Sequence, residues 1–102
     1  MSDYTDADRL AAVKRKLNVT WQDEETDART LDAIEVVSSV LAARLGMERP
    51  HAFSPEDGEA WGLFLSACLY EFSDALDDFM ANYAQEIRAA RALLGTPEAT
   101  DA

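Results

Sequence analysis

The dominant pattern in this chain lies between Trp61 and Leu94, which read WGLFLSACLYEFSDALDDFMANYAQEIRAARALL. Apolar residues recur there in alternating steps of three and four, the spacing that places side chains on one face of an α-helix. The spacing predicts one long helix, or two helices end to end. The members of this apolar stripe are Trp61, Leu65, Cys68, Phe72, Leu76, Phe79, Tyr83, Ile87, Ala90 and Leu94.

Length and composition indicate one folded domain with an acidic surface. The chain has 102 residues, enough for one modest core. Its hydrophobic content of 48% is too high for a disordered acidic tail, so the net charge of −11 belongs on the outside of a folded domain. Such a surface repels phosphate groups and anionic lipids, which disfavours direct reading of a DNA sequence.

Cys68 is the only cysteine, so an internal disulfide is excluded. The sequence contains no run of about 18 apolar residues of the kind that a membrane span requires. We therefore expect a soluble intracellular protein with no membrane contact.

Two helices are predicted before the apolar stripe. The first runs from about Asp6 to Leu17, with Thr5 as its N-cap and Asp8 completing a capping box. The second runs from about Thr26 to Leu45, and Gly46 stands where a left-handed C-cap is expected. Its valines are mediocre helix formers that need packing on two sides, which predicts a central position.

The third helix is predicted to start after Ser54 and Pro55, to kink or break between 80 and 85, and to end at Gly95. The fold class expected is all-α, a compact bundle of three principal helices with the last one long and bent into two. Residues 1–95 would form the single domain and 96–102 a flexible acidic tail. The expected core comprises Leu10, Val13, Leu17, Leu31, Ile34, Leu41, Leu45, Leu65, Cys68, Phe72, Leu76 and Phe79.

Paired carboxylates offer the one pattern that is compatible with metal chemistry. Glu71 with Asp74, and Glu24 with Asp27, have the Glu-x-x-Asp spacing with which all-helical nucleotide pyrophosphatases bind Mg²⁺. The second pair falls in a helix start, where acids are expected anyway, and no lysine near either pair is available to hold a phosphate. A solvated acidic face is the reading we favour.

The remaining reactive residues have simpler explanations. His51 lies in a proline-containing loop without a cysteine or carboxylate at ligand spacing, and Cys68 lies inside the apolar stripe. The four glycines are scattered, so no phosphate-binding loop is present. The sequence therefore predicts no catalytic residue, no metal site and no cofactor.

Leu63 and Tyr70 are placed on the helical wheel opposite the Trp61 to Phe72 line, on a face shared with charged residues. An exposed leucine and tyrosine aligned there are a candidate subunit contact. The alternative is that the first or second helix covers them, and the sequence does not decide between the two.

Two segments carry a family resemblance. The first is VKRKLNVT (residues 13–20), which is followed by an acidic turn and by Thr26-Asp27; the second is CLYEFSDALDDFMANY (residues 68–83) with Gln85-Glu86-Ile87 after it. Together they resemble tailed-phage head-tail connector proteins, from about Asp8 to Leu94.

The resemblance implies a non-enzymatic helical adaptor that forms a homo-oligomeric ring beneath the portal protein, with DNA passing through it and a tail-side stopper or completion protein below. The protein would be in the virion at the head-tail junction, and in the host cytoplasm during assembly. The region after Leu94 would dock on the portal. The contact residues that we expect are Trp21, Leu63, Tyr70, Lys14, Arg15, Arg88 and Arg91.

Two other functions remain open on the sequence. One is a regulatory module, an acidic helical bundle that binds a basic partner or mimics DNA. The other is a Mg²⁺-dependent nucleotide pyrophosphohydrolase that uses Glu71 and Asp74.

Overall fold

The computed structural model describes residues 4–18 and 23–94. Within these ranges the chain forms helices and no strand, which confirms the all-α class. A short 3₁₀ helix covers Pro55–Asp57. The α-helices are α1 (Asp6–Lys16), α2 (Glu24–Arg44), α3 (Glu59–Phe72), α4 (Leu76–Asn82) and α5 (Ala84–Leu94).

The first two helices begin where side chains satisfy the free backbone N–H groups. Thr5 Oγ1 accepts from the N–H of Asp8 at 3.0 Å, and the Asp8 carboxylate accepts from the N–H of Thr5 at 3.1 Å. This is the predicted capping box. Asp23 caps α2 by accepting from the N–H of Thr26 at 3.2 Å, so α2 begins at Glu24, two residues earlier than expected.

Three helices end on a residue in the left-handed region. Gly46 has the predicted positive φ, +77°, while Asn18 and Asp74 adopt +62° and +59° without being glycine. After α3, the N–H of Ala75 donates to the carbonyl of Tyr70 at 2.8 Å and the N–H of Asp74 to that of Glu71 at 2.9 Å. These bonds form a Schellman motif, which terminates α3 at Phe72.

The residues of the apolar stripe lie on three helices, α3, α4 and α5. The expectation of one long helix bent into two is therefore wrong in the number of helices. The predicted interruption between 80 and 85 is present at Tyr83. The second interruption, at 73–75, was not predicted, because no glycine or proline marks it. Aspartate tolerates the left-handed conformation better than most residues do, which is why Asp74 can end a helix there.

The centre of the fold is α3, not α2. Helices α1, α2, α4 and α5 all pack against α3, whereas α2 packs mainly on α3 and α1. Consequently one flank of α2 faces solvent, and Val36 is exposed there. No helix among the described residues is long and apolar enough to cross a lipid bilayer.

Most of the residues that were predicted to form the core are buried or packed against the buried cluster. Fully buried members are Val13, Leu41, Leu45, Cys68 and Phe79, and partly buried members packed against them are Leu17, Ile34, Leu65 and Leu76. Leu10 and Phe72 are half-buried. Leu31 was also expected inside but is 46% exposed, because it lies on a flank of α2 that no other helix covers completely.

Like Phe64 of α3, Phe53 in the loop between α2 and α3 is a core residue that the sequence analysis missed. Its ring is fully buried and stacks on Phe64 with a centroid distance of 4.9 Å, and Phe64 stacks on Trp61 at 5.4 Å. Helical periodicity says nothing about a loop residue, so its position gave no signal.

Replacing Phe53 by alanine is expected to lower the free energy of unfolding by about 3–5 kcal/mol, because the substitution leaves a cavity against Phe64. Urea denaturation followed by far-ultraviolet circular dichroism measures this. The matched control is Leu69→Ala, which truncates a side chain that is 37% exposed and is expected to cost less than about 1 kcal/mol. Equal losses in the two variants would contradict the burial of Phe53.

Asp74 provides a second test, of the left-handed helix end. Asp74→Ala and Asp74→Gly remove the same charge, but only glycine adopts a φ of +59° without strain. We expect Asp74→Gly to be more stable than Asp74→Ala by about 1 kcal/mol in urea denaturation. The reverse order would mean that α3 does not end in this motif.

Candidate interaction surfaces

The structure contradicts the premise that Leu63 is exposed. Leu63 is buried, because α5 follows the break at Tyr83 and packs back against α3. Tyr70 is half-buried, with ring centroids 5.6 Å from Phe79 and 5.9 Å from Tyr83. Tyr70 is thus covered by a ring from α4 and by the ring of the residue just before α5, and not by the first or second helix as the alternative had it.

The predicted basic contact residues divide into engaged and exposed ones. Lys14 Nζ lies 2.6 Å from the Asp27 carboxylate and ties α1 to α2. Arg91 donates to the carbonyl of Arg44 at 3.2 Å. Arg15 and Arg88 are exposed. Trp21 lies outside the described residues.

Two grooves on the surface combine apolar linings with charged rims. The first, which we name groove A, lies between α1, α2 and the loop around Pro50, and has a volume of about 400 Å³. Leu31 and Ile34 supply its apolar lining from α2. The exposed carboxylates of Asp6 and Glu35 lie at its charged side.

Arg9 holds groove A together, and sequence reasoning missed this residue. Its Nε donates to the carbonyl of Phe53 at 2.6 Å, and one terminal nitrogen lies 2.8 Å from the carboxylate of Asp6. The residue is only 6% exposed, although arginine is almost never buried without partners. The Asp6–Arg9 spacing of three was a local signal, but the bond to a carbonyl 44 positions away was not readable from the sequence.

His51 also lines groove A. The sequence analysis found no carboxylate at ligand spacing from it, but the structure places one beside its ring. Its Nε2 lies 3.1 Å from the Asp57 carboxylate, which also accepts from the N–H of Ser54 at 2.9 Å. The N–H of His51 donates to the carbonyl of Ser38 on α2. These bonds attach the loop to α2, which gives His51 a structural role at the edge of the groove.

The second groove, groove B, lies between the end of α1, α3 and α5, and has a volume of about 560 Å³. Its floor consists of small and apolar residues: Gly62, Leu63 and Ser66 from α3, Ala89 from α5, and Tyr83. In the described part of the chain, the charged residues that line it are Lys16, Glu59 and Glu86. Leu63 therefore lies buried at the floor of groove B, and is not an exposed side chain on the surface of α3 as expected.

The acidic pairs do not form an evident cation site. Glu71 and Asp74 share a small cleft of about 140 Å³ with Asp32 and Arg29, and Arg29 donates to the carbonyl of Phe72 at 3.0 Å there. In residues 4–18 and 23–94, no group of three potential ligands is arranged to hold a metal ion. Asp27 of the other pair is bonded to Lys14, so the expectation that no lysine lies near it was wrong.

Burial and neighbouring charge alter two titratable groups of α3. Burial raises the pKa of the Cys68 thiol, and the charge of Glu71 adds to the effect, so Cys68 is a protonated core residue. The pKa of Glu71 is raised by partial burial, with further contributions from the nearby carboxylates of Asp74 and Asp77.

The raised pKa of Glu71 predicts how stability depends on pH. Since folding raises this pKa, ionisation of Glu71 weakens the folded state as the pH rises through it. Glu71→Gln should therefore increase the urea midpoint at neutral pH, and this gain should disappear below about pH 4. Glu48→Gln, in the exposed loop, is the control and should show no such pH-dependent gain; a midpoint unchanged by Glu71→Gln at all pH values would contradict the prediction.

Comparisons of the chain with family models, with curated proteins and with solved structures found no match. What supports a function is therefore the resemblance of the two sequence segments, the helical fold and the two grooves.

Proposed function

We propose that this protein is a structural head-tail connector of a tailed phage or prophage, which assembles as a ring beneath the portal around the DNA channel. The portal would be its partner on the head side and a stopper or completion protein its partner on the tail side. The ring and its partners are implied by the resemblance of the segment from Asp8 to Leu94 to head-tail connector proteins.

The observation that carries the proposal is that two separate grooves, A and B, lie on the described part of one small helical domain. Grooves A and B have no lining residue in common. A ring subunit meets its two neighbours through two different surfaces, because contacts around a ring are heterologous. A domain with two distinct apolar-lined surfaces meets this requirement.

The charge of the chain is compatible with a DNA channel. A net charge of −11 repels the phosphate backbone and disfavours non-specific binding, which requires lysine and arginine contacts to phosphates. An acidic wall would let DNA slide through the ring without adhering to it. The same charge is compatible with the rival function of an acidic module that binds a basic partner, so charge alone does not select the connector.

The exposed cations of α5 are the part of the surface that we assign to portal contact. Arg88 is exposed, and Arg91 lies one turn-length further along the helix with its guanidinium on the carbonyl of Arg44. Arginines at a rim steer an acidic partner and select against wrong ones. This assignment retains two of the contact residues expected from the sequence.

The decisive experiment is co-expression with the portal protein of the same phage or prophage, followed by sedimentation and electron microscopy of the complex. We expect a ring of copies at the tail-facing end of the portal. Arg88→Glu should weaken this binding about tenfold, which is about 1.4 kcal/mol. Arg49→Glu makes the same charge change in the loop before Pro50 and should bind normally.

Failure of the wild-type chain to co-assemble with the portal would overturn the connector function. Tight binding to a basic protein by a free monomer would instead favour the regulatory module. Nucleotide hydrolysis that requires Mg²⁺ and is lost in Asp74→Ala would favour the pyrophosphohydrolase.

A further inference from the structure

Helix α1 connects the two grooves and carries opposite charges at its two ends. Asp6, its first residue, lines groove A, and Lys16, its last residue, lines groove B. At 1.5 Å per residue these two positions are roughly 15 Å apart along the helix axis. The grooves are thus held at a defined separation, with an acidic edge at one and a basic residue at the other.

On the acidic side, Leu31 and Glu35 lie four residues apart on α2 and therefore on one face of that helix. Both line groove A, both are exposed, and Leu31 is 46% exposed. Together they form an edge with an apolar side chain and a carboxylate one turn apart. A partner for this edge must offer an apolar hollow next to a cation.

Groove B offers this combination. Leu63 and Tyr83 give it an apolar floor, and Gly62 leaves the room that a larger side chain would fill, because nothing lies within 4 Å of the Cβ position there. Lys16 is the cation among its described lining residues. A leucine in the hollow with a carboxylate at Lys16 would match both features.

We propose that the Leu31–Glu35 edge of one copy seats in groove B of a second copy, with the Glu35 carboxylate on the Lys16 ammonium. The proposal rests on the proposed function, since it identifies how neighbouring subunits of the ring meet. Because the two surfaces differ, the contact is head-to-tail, and repetition produces a closed ring or an open filament.

The charges in groove B specify one register for this contact. Glu59 and Glu86 also line the groove and repel Glu35, so Lys16 is the one cation among the described lining residues that attracts its carboxylate. The net charge of −11 acts against other encounters between copies. The pairing of Lys16 with Glu35 is therefore more favourable than other encounters between two acidic chains.

The test is a charge swap measured by sedimentation velocity on the full chain at millimolar concentration. Lys16→Glu and Glu35→Lys each place like charges in the contact, and each should weaken self-association about tenfold. When the two variants are mixed, every contact between unlike chains regains an opposite pair, so association should recover in the mixture. Glu48→Lys makes the same charge change in the exposed loop outside both grooves and should not weaken association.

A second readout identifies the contact directly. Isotopically light and heavy chains are mixed, and one sample is kept free while another is bound to the portal. Both samples are treated with a carbodiimide, which joins an amine directly to a carboxylate without a spacer. We expect a Lys16–Glu35 crosslink between a light and a heavy chain. Its absence in both samples, or failure of the mixed variants to restore association, would overturn the proposed seating.

The two proposals fail in distinguishable ways. Portal binding without the Lys16–Glu35 crosslink would leave the connector function in place and overturn the seating. The crosslink without portal binding would leave the contact between copies in place and overturn the connector function.

Discussion

The stack of Phe53 on Phe64, together with the bond from Arg9 to the Phe53 carbonyl, is the interaction on which the rest of this structure depends. It joins three segments that are distant in sequence: α1, the loop after α2, and the central helix α3. The aromatic ring supplies buried apolar area, while the buried guanidinium satisfies a carbonyl that would otherwise be left without a partner. The loop is thereby part of the core and not a surface connection.

This attachment also helps to form groove A, and the ends of α4 and α5 help to form groove B. With the loop drawn inward onto Phe64 and Arg9, α1 and α2 stay apart near Ile34, and groove A remains open between them. Groove B arises at the other end of α1, because α4 is short and the chain reverses around Tyr83 before α5 packs on α3. The candidate function therefore depends on where helices end as much as on where they pack.

Charge has two different roles in this protein. Most of its described acids lie on the surface, where their charge repels other anions, whereas a few charged side chains are engaged in tertiary contacts. Lys14 binds Asp27 between α1 and α2, and Arg9 binds the carbonyl of Phe53 in the loop after α2. A partly buried pair such as Lys14–Asp27 is screened less by salt than an exposed one, so it helps to orient α1 on α2 even in a strongly acidic chain.

Local rules read from the sequence were sufficient for the helical class, for the capping box of α1, for Gly46 at the end of α2 and for most of the central core, because these features depend on neighbours within a few residues. Tertiary structure alone decided the burial of Phe53 and Leu63, the exposure of Leu31 and the bond from Arg9 to the Phe53 carbonyl. Each of these depends on which distant segment packs against a given face, and periodicity identifies an apolar face without specifying what packs against it.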